Sequence, residues 1–193
     1  MNRPLVLASS SPFRRALLAR LGLAFETVSP EIDETPQPGE TPEALVERLA
    51  IAKARAGARV HPRALVIGSD QVAVHGAAMV GKPRDHADAV RQLRAASGSR
   101  VVLHTGLALL DGASGRLQHA VVPFAVHFRA LSDARIERYL RKEQPYDCAG
   151  SVKSEGLGIA LIERFEGDDP NALIGLPLIR LVRMLENEGV CVI

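Results

Sequence analysis

The chain has 193 residues, of which 47% are hydrophobic and 24% are charged, as is normal for a soluble globular protein. This length suits one domain, or one domain divided into two lobes. Because 24 Lys and Arg residues nearly balance 22 Asp and Glu residues, the overall charge argues against a nucleic-acid coat protein or a polybasic membrane binder.

The spacing of cysteine and histidine predicts reduced thiols and no zinc site. Cys148 and Cys191 are far apart and belong to no CxxC pattern, and the six histidines show no HxH or HxxxH spacing. The first residues lead into a short strand, and no apolar run approaches the roughly 18–20 residues of a membrane span. We therefore expect a soluble, cytoplasmic protein with no signal peptide and no membrane segment.

The first predicted strand and helix form a candidate anion site. Residues 5–7 predict a strand, and Ser11 followed by Pro12 predicts a helix start, with the helix ending at Gly22. Arg14 and Arg15 fall in the first turn, where positive charge opposes the helix dipole. A phosphate would explain this placement, because backbone N–H groups and two guanidinium groups would surround it.

An acidic loop and a second helix follow a strand at residues 25–28. The loop at 30–36 carries Glu34 among three carboxylates, so it is either a solvated turn or a metal-bearing loop. Thr41 and Pro42 predict the start of a helix that extends to about Ala58. Lys53 lies beside the apolar stripe of this helix, and snorkelling to solvent is favoured over entry into a cleft.

The apolar run that begins at residue 64 is expected to stop at Gly68, where Ser69, Asp70 and Gln71 follow. A carboxylate just beyond the end of a buried strand is a common position for a catalytic group in α/β proteins. The alternative is that Asp70 caps a turn. A return through residues 72–74 is expected next.

Residues 76–83 nearly match the P-loop pattern G-x-x-x-x-G-K-[S/T], but the match fails at Pro83. Proline replaces the hydroxyl that would hold magnesium, and it has no N–H to offer a phosphate. Lys82 is therefore expected on a loop, where it could still contact a phosphate, but only as a point charge.

The second half of the chain predicts a mixed sheet. The expected elements are a helix at 85–97, a hairpin of strands at 101–110 and 117–128, a helix at 132–142, an irregular segment at 145–155, a strand at 157–164 and a helix at 176–188. Because a tight hairpin requires antiparallel pairing, the fold class is α/β with a mixed sheet.

Polar groups at the ends of these elements suggest a polyphosphate site. The cations are Arg14, Arg15, Lys53, Lys82 and Lys153, and the carboxylates are Glu34 and Asp70, with Glu155 apart. Such a set suits a polyphosphate with a divalent metal, because carboxylates hold a hard cation and one of them can deprotonate a water molecule.

From Leu5 essentially to the C-terminus, the chain resembles the Maf-like nucleotide pyrophosphatases. The segments that carry the resemblance are SSSPFRR at 9–15, DET at 33–35, the helix with Lys53, SDQ at 69–71, GKP at 81–83, KSEGLG at 153–158 and GLPL at 175–178. The resemblance implies a single domain over residues 1–193, with an elongated mixed β-sheet flanked by helices and two lobes around a central cleft, as in Maf and ITPase folds.

The resemblance also implies hydrolysis of a nucleoside triphosphate at the α–β bond, a divalent metal (Mg²⁺ or Mn²⁺) and a possible homodimer. Asp70 would be the general base and a metal neighbour, with Glu34 as the other metal-side carboxylate. The phosphate-binding residues would be Ser9, Arg14, Arg15, Lys53, Lys82 and Lys153.

Three departures from much of the family resemble the branch that acts on 7-methyl-GTP: Phe13, Gln71 and Glu155. The methylated guanine is cationic, so an aromatic face attracts it through a cation–π contact worth about 0.5–2 kcal/mol, and Glu155 would pair with it. The bland alternative is that Phe13 is a core residue spaced with Leu17. The competing functions are a pyrophosphatase of broader specificity, for dTTP, UTP or other modified nucleotides, and a nucleotide-binding regulator of cell division.

Overall fold

A computed structural model describes residues 3–193 of the protein. Its strands are β1 (Leu5–Ala8), β2 (Glu26–Val28), β3 (Leu65–His75), β4 (Ala78–Val80), β5 (Arg100–Asp111), β6 (Leu117–Phe128) and β7 (Ile162–Glu166). Its α-helices are α1 (Pro12–Ala19), α2 (Pro42–Val60), α3 (His86–Ala96), α4 (Asp133–Glu143), α5 (Pro170–Ile174) and α6 (Leu178–Asn187). None of the helices in this described part is long and apolar enough to cross a membrane.

The strands form one mixed sheet in the order β2-β1-β3-β5-β6-β7, and β4 pairs with β3 off this path. Strand β1 is parallel to both β2 and β3, whereas the β3–β4 and β6–β7 pairs are antiparallel. The predicted α/β class with a mixed sheet is confirmed.

Contacts within the chain group into two compact units. Unit 1 contains the described residues up to Asp70 together with Thr105–Val122 and Asp169–Ile193, and unit 2 contains Gln71–His104 and Pro123–Asp168. Strand β3 therefore continues from one unit into the other. The prediction of a single domain over residues 1–193 stays a prediction.

The core of unit 1 lies on both faces of its strands, because successive residues of a strand point to opposite faces. Leu65 and Ile67 of β3 pack in a large cluster with Leu17 of α1 and Leu181 of α6. Val66, which lies between them in sequence, belongs to a separate cluster. Burial on both faces explains the continuous apolar run in the sequence.

Two glycines allow helix α2 to lie close against the sheet in unit 1. A Cβ atom on Gly68 would overlap the backbone carbonyl of Ala50, and one on Gly106 would overlap the carbonyl of Val46. Gly68 is thus a point of close approach inside β3. The expectation that the strand stops at Gly68 is wrong, because β3 continues to His75.

The predicted helix starts are confirmed. The side chains of Ser11, Thr41 and Ser132 each accept a hydrogen bond from a backbone N–H in the first turn of α1, α2 and α4. The expectation of a strand from residue 157 is wrong at its start, because Leu157–Leu161 form a 3₁₀ helix and β7 begins only at Ile162.

Candidate functional site

Asp70 lies within strand β3, so it neither follows a strand end nor caps a turn as the two sequence-based interpretations proposed. Alternation along β3 puts Asp70 on the same face as Gly68, the glycine that α2 approaches. From α2, Lys53 donates from Nζ to Asp70 Oδ1 at 2.6 Å. The position of Asp70 therefore follows from the close packing of α2 on the strand.

Lys53 does not snorkel to solvent, contrary to the expectation from sequence. Its side chain is only 8% exposed, and Nζ contacts both Glu34 Oε1 at 2.7 Å and Asp70 Oδ1 at 2.6 Å. A buried ammonium group requires such partners, since removing it from water is costly without them. The two carboxylates predicted as a pair are thus brought together around one lysine.

The acidic loop that carries Glu34 is fixed to α2 by a second ion pair. Arg48 donates to both carboxylate oxygens of Glu40 at 2.6 and 2.8 Å, and it also donates to the backbone carbonyl of Thr35. The hydrogen bond from Arg48 lowers the pKa of Glu40 to about 2. Asp33 closes the turn by accepting from the Thr35 N–H, so Glu34 lies on an ordered loop.

Arg14 is held in unit 1 by a backbone carbonyl. Its Nε donates to the carbonyl oxygen of Gly175 at 2.8 Å, and its Nη1 donates to Ser9 Oγ at 3.4 Å. Burial lowers the pKa of Arg14, whereas the charges of Asp70 and Glu34 oppose that shift. The half-buried Arg14 therefore lies close enough to Asp70 and Glu34 to interact with their charges.

Ser69 is a site residue to which the sequence assigned no role. Its side chain is completely buried, and Oγ lies 2.8 Å from the carbonyl oxygen of Gly106 and 3.0 Å from that of Gly175. Since the Gly175 carbonyl also accepts from Arg14, Ser69 supports the segment that orients this arginine. In the sequence, the GLPL motif at residues 175–178 contains Gly175, the partner of Ser69, and was the only pointer to this contact.

Phe13 and Arg15 are in the first two turns of α1, as predicted. Phe13 is half-buried and is not among the fully buried core residues, and both interpretations of it, as a core residue and as a contact for the base, stay predictions. Arg15 is exposed and lines a surface depression of about 590 Å³ together with Phe25 and Thr27. Both residues are therefore accessible to solvent.

Gln71 and Asp70 are adjacent in a continuous strand, so their side chains point to opposite faces. The sequence placed these two residues together at a strand end. Strand alternation gives them separate surroundings, and Gln71 is half-buried.

In unit 2, Lys82 lies on the loop after β4, as predicted, and its side chain is exposed. Pro83, which follows it, is buried. The carbonyl oxygen of Gly81 accepts hydrogen bonds from the Gly150 N–H at 3.2 Å and from Gln92 Nε2 at 3.4 Å. The loop that carries Lys82 is therefore anchored on both sides of the lysine.

The segment that carries Lys153 and Glu155 is attached to helix α4. The Lys153 N–H donates to the hydroxyl oxygen of Tyr139 at 3.0 Å, and Lys153 Nζ lies 3.4 Å from Glu143 Oε1. Glu143 also accepts from the Leu157 N–H at 2.6 Å. Lys153 thus has a carboxylate partner that the sequence did not predict, whereas Glu155 is exposed.

Comparison with known protein families shows to which family the chain belongs. A family model described as "Maf-like protein" matches residues 4–188. The chain belongs to the Maf-like protein family. This membership confirms the resemblance inferred from the sequence.

Several curated relatives of this Maf-like chain share the name 7-methyl-GTP pyrophosphatase. A 7-methyl-GTP pyrophosphatase of Nitrosococcus oceani is 60% identical over 96% of this chain and 93% of its own. Proteins of the same name from Methylobacillus flagellatus and Pseudomonas aeruginosa are 59% and 58% identical, over 98% and 96% of this chain and 99% and 97% of their own.

The residues of this Maf-like site fit a divalent metal of the magnesium type. Within residues 3–193 no three or more His, Cys, Asp and Glu side chains form a group suited to a metal ion. Glu34 and Asp70 do place one oxygen each around the same nitrogen of Lys53. Mg²⁺ often takes only one or two protein carboxylates and completes its shell with water and substrate phosphates, and the oxygen chemistry of Glu34 and Asp70 agrees with this preference.

Proposed function

We propose that this Maf-like protein hydrolyses the α–β phosphoanhydride of 7-methyl-GTP, giving 7-methyl-GMP and diphosphate. The observation that carries the proposal is the ion-paired set of Glu34, Lys53 and Asp70, in a chain 58–60% identical to relatives named for this activity. Such an enzyme removes a modified nucleotide from the pool, and we place it in the cytoplasm because its substrate is a nucleotide.

In this mechanism Asp70 accepts the proton of the attacking water. A carboxylate in this role contributes about 10²–10⁴-fold to the rate. Lys53 holds the carboxylate of Asp70 in position through its 2.6 Å contact. The orientation of the base therefore depends on the same lysine that reaches Glu34.

Phosphate binding in unit 1 is assigned to Arg14, with Ser9 as its neighbour and Arg15 as a more exposed contributor. Arg14 is oriented in advance by the Gly175 carbonyl, so little side-chain entropy is lost when an anion binds. In unit 2 the same role is assigned to Lys82 and Lys153.

A divalent metal, Mg²⁺ or Mn²⁺, is the proposed cofactor, and Glu34 and Asp70 would hold it. When bound, it neutralises phosphate charge and polarises the phosphoryl oxygens.

Preference for the methylated base is assigned to Phe13, Glu155 and Gln71. The half-buried Phe13 leaves part of its ring accessible, and a cationic base gains about 0.5–2 kcal/mol on such a ring. Glu155 is exposed and supplies the opposite charge. Gln71 would hydrogen-bond a base edge. The homodimer that the family resemblance implies stays a prediction.

A nucleotide panel tests this proposal. Purified protein is incubated with 7-methyl-GTP, GTP, dTTP or UTP and with Mg²⁺ or Mn²⁺, and diphosphate and orthophosphate are measured separately. Diphosphate release that is fastest with 7-methyl-GTP is expected. Orthophosphate as the product would overturn the reaction, and equal or faster turnover of dTTP and UTP would indicate the broader pyrophosphatase. Binding without turnover would indicate a nucleotide-binding regulator.

A further inference from the structure

Gln92 on helix α3 contacts two loops of unit 2 at once. Its Nε2 donates to the Gly81 carbonyl oxygen at 3.4 Å, and its Oε1 accepts from Ser151 Oγ at 2.6 Å. The Gly150 N–H donates to the same carbonyl of Gly81 at 3.2 Å. The two loops are therefore joined both directly and through one amide side chain.

The backbone at Ser151 is strained, which gives the contact with Gln92 its importance. Gly150 and Ser151 both have positive φ, at 69° and 59°, and this conformation is costly for a residue with a Cβ atom. Ser151 is also completely buried. A strained, buried residue persists only where its surroundings hold it, and its hydroxyl donates to Gln92.

The two loops carry the unit 2 lysines to which phosphate binding is assigned. Gly81 immediately precedes Lys82, and Ser151 lies two residues before Lys153. We propose that Gln92 is a positioning residue that sets Lys82 and Lys153 relative to each other for the triphosphate. This inference rests on the proposed pyrophosphatase function and adds to it a residue outside the motifs that carry the family resemblance.

Gln92→Leu tests the inference, because leucine fills a similar volume and makes neither hydrogen bond. We expect kcat/KM for 7-methyl-GTP to fall about tenfold, since a misplacement of about 1 Å can cost up to 10²-fold. The matched control is Gln118→Leu. The Gln118 amide makes three hydrogen bonds, from Nε2 to the Met184 carbonyl and to Glu188 and from Asn187 to its Oε1. It lies in unit 1 on strand β6, and its loss should leave kcat/KM within twofold.

Ser151→Gly removes the hydroxyl partner of Gln92 in a variant that tolerates the positive φ. Glycine adopts this backbone conformation without strain, so this protein should fold even if Gln92→Leu does not. We expect it to reproduce the fall in kcat/KM with an unchanged melting temperature. A normal kcat/KM in this folded variant would overturn the proposal.

A double-mutant cycle separates positioning from general destabilisation. If Gln92 acts through the lysines, the effect of Gln92→Leu should shrink to less than about threefold when Lys82→Ala or Lys153→Ala is already present. The same tenfold loss in both backgrounds would overturn the positioning role. Wild-type protein is assayed first: if it releases no diphosphate, the proposed function fails, whereas active wild type with unaffected variants refutes only the role of Gln92.

Discussion

Replacing Asp70 by asparagine removes the proposed base and changes the shape of the site very little. The amide oxygen of asparagine can still accept from Lys53 Nζ, as Asp70 Oδ1 does at 2.6 Å. Lys53 also keeps its contact with Glu34 at 2.7 Å. The substitution therefore removes a charge and a proton acceptor while the buried ammonium retains two partners.

The expected losses of catalytic rate and of folding stability in Asp70→Asn follow from these contacts. Loss of a general base costs about 10²–10⁴-fold in rate, which is about 3–5 kcal/mol at 1.36 kcal/mol per tenfold. Stripping a buried charge of its only partner costs about 3–5 kcal/mol of folding free energy. Because Lys53 keeps Glu34 and Asp70 is 15% exposed, we expect the free energy of unfolding of Asp70→Asn to fall by only about 1–2 kcal/mol.

The assay is steady-state diphosphate release from 7-methyl-GTP, with nucleotide binding and urea unfolding measured on the same preparations. Asp111→Asn is the matched control, since Asp111 is a buried strand carboxylate in unit 1 that pairs with Arg3 at 3.0 Å. The control should lose stability and keep its kcat. If Asp70→Asn retained more than about a tenth of kcat, Asp70 would not be the base; unchanged function in every respect would favour a binding protein.

Three further substitutions test separate parts of the site. Lys53→Met should lower the free energy of unfolding in urea by about 3 kcal/mol, because it leaves Asp70 without its buried partner, and a loss below about 1 kcal/mol would contradict this. Glu155→Gln should lower kcat/KM for 7-methyl-GTP about 2–10-fold and leave GTP turnover unchanged; an equal loss for both would exclude a charge-based preference. In wild type the pKa of Glu40 is lowered from 4.5 to about 2, so its stabilising contribution is present above pH 4.5 and disappears towards pH 2. Arg48→Met should raise that pKa in carboxyl NMR titrations and flatten stability across this window, and an unshifted Glu40 titration would contradict the assignment.

Local chemistry made much of the fold predictable. Ser11, Thr41 and Ser132 are N-caps because a hydroxyl before a helix accepts from a first-turn N–H, and this preference depends on only a few neighbouring residues. The burial of Ile136, Tyr139 and Leu140 on α4 likewise follows the helical periodicity that is visible in the sequence. Both the helix caps and the apolar face of α4 depend on residues that lie close together in the sequence.

Lys53 shows where local inference fails. In sequence it lies beside an apolar stripe, and snorkelling is the usual behaviour of such a lysine. Its actual direction depends on Asp70, which is 17 residues away, and on an acidic loop held by Arg48 and Glu40. Such partners become neighbours only through tertiary packing.

The wrong prediction that the strand ends at Gly68 also results from tertiary packing that the sequence does not show. Glycine after an apolar run suggests the end of a strand, but here it marks the point where α2 approaches β3. Whether a glycine serves a turn or a close approach is determined by the element that packs against it. The candidate residue Asp70 was therefore found for a reason that the structure does not support, since it lies inside the strand.

The candidate cations have protein partners that a bound triphosphate must exchange or share. Lys53 contacts two carboxylates, Lys153 contacts Glu143, and Arg14 donates to the Gly175 carbonyl. The net gain from phosphate binding is a difference between old and new contacts, so the number of cations overstates the affinity. Arg14 should gain most among these three, because its Nε contact is a neutral carbonyl and not a carboxylate. Arg14 is therefore the principal electrostatic contact proposed for the phosphates.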